Sequence, residues 1–91
     1  MLEFDWDEEN LKHIARHGVT PEEVEFVLGR PTLDIGYQDW HGEERSSEVG
    51  AAPSGRILTV ITTFRGHRIR VVTAYDASKR EAGRYFRLTV N

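Results

Sequence analysis

Residues 56–75, RILTVITTFRGHRIRVVTAY, decide the fold. The run from Ile57 to Phe64 is dense in β-branched residues on both faces, the composition of a central strand buried from two sides. Arg65-Gly66-His67 makes a compact turn, and the second run returns antiparallel to the first. Successive side chains of a strand alternate, so Ile69, Val71 and Thr73 are expected on one side and Arg68, Arg70 and Val72 on the other. Two guanidinium groups then project from one face, ~6–7 Å apart at their roots.

Upstream of this hairpin, TLDIGY (32–37) reads as a further strand, followed by a polar stretch, WHGEERSSEVG (40–50), and a short loop, GAAPSG (50–55). Before these lie two helices. Asp7 is a good N-cap for the first, Leu11, Ile14 and Ala15 repeat at helical spacing, and Gly18 ends it. Thr20 and Glu23 form a capping box for the second, with Pro21 in its first turn, Val24, Val27 and Leu28 as its inward stripe, and Gly29 and Pro31 at its close. The opening LEFDW alternates Leu2, Phe4 and Trp6 with acids, which predicts an N-terminal strand with Trp6 in the core. Downstream, Asp76 or Ser78 caps a short basic helix, and the tail RLTVN (87–91) is expected to add an edge strand. The whole is an α+β fold, with an N-terminal strand and helical hairpin packed on an antiparallel sheet whose other face is partly open.

Ninety-one residues with 38% hydrophobic content fit one domain spanning 1–91. The absence of cysteine excludes disulfides, thiolate metal sites and cysteine nucleophiles. No apolar run approaches a membrane span, and the acidic N-terminus is unlike a secretion signal, so the cytoplasm is the expected location. The net charge of −3 hides a strong asymmetry: residues 56–91 carry eight Lys/Arg and two acids, a balance of +6, whereas residues 1–55 carry a balance of −9. The basic half is also the strand-rich half, which suits it to a polyanionic partner.

Arg65, Arg68 and Arg70, with Lys79, Arg80 and Arg84 on the following helix, are expected to converge on one hollow with Tyr75 and Tyr85. Guanidinium forks bind phosphate, and tyrosine offers a ring for base stacking and a hydroxyl for proton transfer. RNA cleavage without metal needs cations for the phosphorane and groups that carry protons. Arg65, Arg70, Lys79 and Arg80 supply the first; His67, Tyr75 and Tyr85 are candidates for the second. His13 and His17 stand at metal-binding spacing, but no third ligand accompanies them, so neither a metal nor a cofactor is expected. His17, just before Gly18, is expected to meet the carbonyls at the end of its helix.

Taken in order, FDWDEEN, KHIARHGVTPEEV, ERSSEVG, GRILTV and RGHRIRVVTAYDASKRE, with Tyr85 beyond, resemble the BrnT-type toxins of bacterial type II toxin-antitoxin pairs, whose domain is similar to the RelE/ParE fold. The resemblance implies a metal-independent ribonuclease that blocks translation and is held inactive by a cognate antitoxin. It also implies that the antitoxin dimerises through a DNA-binding ribbon-helix-helix portion, so that DNA is reached only through the complex. Arg65, Arg70, Lys79, Arg80, Glu81 and Tyr85 match the family's pattern. Three positions depart from it: Thr73 replaces a serine, Tyr75 stands where arginine is usual, and Asp76 where a basic residue is common. A second reading follows from these departures, a non-catalytic toxin-like module acting only as partner of an antitoxin-type repressor. A solitary binder of DNA backbone fits an acidic chain less well.

Overall fold

The local signals of the sequence are the ones the chain uses. In the computed structural model, which describes residues 2–89, α1 (Glu8–Ala15) and α2 (Pro21–Leu28) precede a four-stranded sheet, β1 (Leu33–Trp40), β2 (Glu43–Ala51), β3 (Ile57–Arg65) and β4 (Arg68–Asp76), and α3 (Lys79–Thr89) follows. Both helical starts are full capping boxes, Asp7 with Asn10 and Thr20 with Glu23. Ser78 Oγ accepts from the Glu81 amide at the start of α3. Gly18, at φ +68°, takes the left-handed turn that releases the chain from α1.

The strands form an antiparallel meander in the order β1-β2-β3-β4. His41 and Gly42, both at positive φ, make the tight turn between β1 and β2. The polar stretch after Trp40 is thus a strand. Its Glu, Arg and Ser side chains conceal a ladder paired on both sides, and the Thr63 hydroxyl donates to the Glu44 carbonyl across it.

Leu58 and Val60 of β3, with Val71 and Ala74 of β4, face α1 and α2 and form the core with Ile14, Val19, Val24, Val27 and Ala52. Phe4, Trp6 and Leu28 pack against it partly buried, and the Trp6 indole donates to Glu25. On the other face Val49 and Thr59 are buried too, and α3 packs against β1 and β2. Gly50 lies where α2 comes closest to the sheet: a Cβ there would stand 2.8 Å from Val27 Cγ1 and 3.2 Å from Thr32 Cγ2. Gly50→Ala is therefore expected to overpack the core by about 1–3 kcal/mol, read as a lowered midpoint in thermal denaturation.

Three expectations are corrected. The N-terminal strand shrinks to a single parallel bridge between Phe4 and Ile69, because Asp7 caps α1 and turns the chain away from the sheet. A bulge in β4 pairs Thr62 with Val71 but Ile61 with Thr73, leaving Val72 as the extra residue. Thr73 therefore shares the face of Arg68 and Arg70 instead of that of Ile69 and Val71, and Tyr75 goes with it. The tail, read as an edge strand, is helical as far as Thr89; residues 90–91 lie outside the described residues.

Candidate nucleic-acid interface

The first helix runs beside β4 and closes its edge. Asn10, almost fully buried, donates through Nδ2 to the carbonyls of Asp5 and Val71, while its Oδ1 accepts from the Asp7 amide. Residues 3–5 complete the cover, with the Asp5 amide donating to Ile69 O and the Ile69 amide to Glu3 O. At its other end α1 brings His17 onto Tyr75, edge to face at 5.9 Å, and His13 stacks on His17 at 6.3 Å. His13, His17 and Tyr75 thus form a row of rings along the seam between α1 and β4.

A cleft of about 290 Å³ opens where this row meets the sheet, lined by His13 and Glu9 of α1, Glu43 and Arg45 of β2, Thr63 and Arg65 of β3, and Arg70 of β4. Its size is at the small end of ligand sites, enough for about one nucleotide unit. Its three guanidinium groups are not equivalent. Arg70 is buried, and donates from Nη1 to Asp7 Oδ2 at 2.8 Å and from Nη2 to Glu9 Oε1 at 3.0 Å, with Asp5 at 3.8 Å. The hydrogen bonds from Arg70 hold the Asp7 carboxyl below the usual carboxylate range, and Asp7 in turn raises Arg70. Arg45 pairs with Glu43 at 2.9 Å and lies 5.6 Å from the Trp40 ring. Arg65 is exposed and makes no ion pair or hydrogen bond among the described residues.

Directly opposite Arg65 in the ladder stands Arg68. Facing like charges on neighbouring strands repel, so this pair stores unfavourable energy that a bound anion relieves. Arg65, Arg68 and His13 have no carboxylate partner among the described residues.

The single hollow expected from the sequence is not what the fold assembles. Arg65 and Arg70 line the cleft, with Arg68 paired to Arg65 across the ladder, whereas Tyr75 stands at the far end of β4, about 23 Å along the strand from Arg68. His67, at the hairpin turn, reaches Glu3 at 2.7 Å. Lys79 and Arg80 occupy the exposed first turn of α3, close after Tyr75 in the chain; Arg84 is exposed a turn later, and Tyr85 is half-buried with its ring on Phe86. The His17 imidazole does not close its own helix: the backbone amides of Arg16 to Val19 meet the last carbonyls of α1, and Arg56 donates to the carbonyls of His17 and Gly18 in the turn beyond. Among the described residues, no group of three or more His, Asp or Glu is arranged to hold a metal.

Sequence reasoning weighed His13 only as a metal ligand and passed over Arg45. The available signal was the phase of α1. Asn10 and Ile14 face inward, which leaves His13 and His17 together on the side toward β4.

The profile of a family described as "Ribonuclease toxin, BrnT, of type II toxin-antitoxin system" matches residues 6–81, from the N-terminal segment that covers β4 into the first turn of α3. The chain belongs to the BrnT toxin family. The match takes in every wall of the cleft and the row of rings, so the BrnT region coincides with the basic seam. A search of curated proteins finds no significant match. Membership makes this BrnT chain a ribonuclease toxin of a type II pair, with an antitoxin as partner. None of its described helices is long and apolar enough to cross a membrane.

Proposed function

We propose that this chain is a metal-independent endoribonuclease that arrests translation by cutting RNA in the groove between α1 and β4. The observation that carries the reading is Arg65, without a carboxylate partner among the described residues, paired with Arg68 across the ladder and lining a cleft that also holds His13. The scissile phosphate sits against Arg65 and Arg68, whose charges stabilise the phosphorane. His13 takes the proton of the 2′-hydroxyl, which attacks phosphorus. The 5′-oxygen leaves and receives a proton from water on the open side of the groove, giving a 2′,3′-cyclic phosphate and a 5′-hydroxyl.

Further along the seam Tyr75 and His17 stack a base a few nucleotides away, and Lys79, Arg80 and Arg84 extend the track of cations for the backbone. Arg70 acts as a positioning residue that fixes α1, and through it His13. The cognate antitoxin, of ribbon-helix-helix type, inhibits by laying acidic residues over Arg65 and Arg68 and tethers the pair to its own promoter DNA.

Purified protein is expected to cut RNA equally well with and without a chelator such as EDTA, leaving cyclic phosphate ends detectable by mass spectrometry, and its expression alone will stop growth. Cleavage that EDTA abolishes refutes the metal-free scheme. Intact RNA and normal growth at good expression favour instead the non-catalytic partner of a repressor.

A further inference from the structure

Arg56 stands outside the cleft, yet it makes more directed contacts than most side chains of the domain. From the start of β3 its guanidinium donates through Nη1 to Gly18 O at 2.8 Å, through Nη2 to His17 O at 2.9 Å and through Nε to Asp76 Oδ1 at 2.6 Å, with Glu23 at 3.7 Å. One planar group thereby joins the end of α1, the first turn of α2 and the end of β4. His17 and Tyr75, the two rings that meet at 5.9 Å, are each carried by a backbone segment it holds: His17 directly, Tyr75 through its neighbour Asp76.

We infer that Arg56 is a positioning residue that sets the His17–Tyr75 pair as a stacking platform for an unpaired base, which makes single-stranded RNA the substrate class of the groove. The inference rests on the ribonuclease reading for its biological meaning, and on the geometry alone for the platform. Asp76, an acid where phosphate is to pass, is neutralised by the same contact, so its charge does not oppose the RNA. The fork is essential to the arrangement. A lysine has the charge, but as a point donor it cannot meet two carbonyls and a carboxylate in one plane. A duplex offers the platform no unstacked base.

The test measures binding of a short 2′-O-methyl oligoribonucleotide, which cannot be cut, so that its outcome is independent of catalysis. Arg56→Lys is expected to raise Kd for the single strand about tenfold, the loss of one base stack, and to abolish the ring-current shift of Tyr75 on the His17 imidazole protons in NMR spectra. Asp76→Asn, which keeps an acceptor for the guanidinium, will keep that shift. Val27→Ala, a core variant away from the groove, will lower the melting temperature without changing Kd. An unchanged Kd or a retained His17 shift in Arg56→Lys overturns the inference, as does equal or tighter binding of a duplex by the unaltered protein. If the oligonucleotide binds as described but RNA is never cut, the nuclease reading fails and the platform stands.

Discussion

Replacing His13 by alanine will slow RNA cleavage by roughly 10²–10⁴-fold, the range expected for a lost general acid–base group. The fold will survive, since His13 is an exposed residue of α1 and alanine is the better helix former. Arg65→Ala removes a cation that has no carboxylate partner among the described residues, and will cost roughly 10²–10³-fold, as the loss of one charge-stabilising donor does elsewhere. The variant also deletes the repulsion from Arg68, so its melting temperature will hold or rise while its activity falls. Single-turnover cleavage of a labelled oligoribonucleotide, measured beside thermal denaturation, separates the two effects. Parental rates in both variants would remove the cleft as the active site.

Arg70 is expected to behave in the opposite way. Its guanidinium is buried, and its three carboxylate partners lie on the segment that leads into α1 and on its first turn. Arg70→Ala will destabilise the domain by about 2–3 kcal/mol, below the ~3–5 kcal/mol of a fully buried pair because Asp7 and Glu9, half and largely exposed, regain water when the arginine is lost. Activity will fall only as far as α1 loosens, and a stabilising anion will restore part of it. The pH dependence follows from the sign of the Asp7 shift. Its folded-state value is depressed by Arg70, so the pair's contribution is complete above the ordinary carboxylate value of ~3.9 and is lost as the pH falls through the lower folded value. Melting temperatures of the parent will therefore drop more steeply in acid than those of Arg70→Met. Parallel curves would show that the cluster adds nothing to stability.

Much of the architecture could be read locally. The N-cap at Asp7, the capping box at Thr20 and the hairpin around Gly66 each rest on a few adjacent residues, and they appear where expected. What escaped depends on partners distant in sequence. The second strand is held by backbone pairing to a neighbour on each side and by the close approach of α2 at Gly50, and neither leaves an alternating apolar pattern among its mostly polar side chains. The bulge at Val72 has no signature in a run of β-branched residues, yet it decides that Thr73 and Tyr75 share the face of Arg70. The residues of the candidate site were legible in composition more than in arrangement. An excess of arginine near aromatic rings pointed to RNA, but strand rise separates the two ends of β4, and acids from the N-terminal segment claim Arg70. Asp76, which looked opposed to phosphate, spends its charge on Arg56.

The clamp that Asn10 makes on Val71 spans 61 positions of the sequence. One wall of the groove is made well before the other, so the chain for a time has α1 without the strand it must close upon. Joining them costs the entropy of a long loop, which is repaid only when the β3–β4 ladder is in place. Until that ladder forms, the groove between α1 and β4 has only one of its walls.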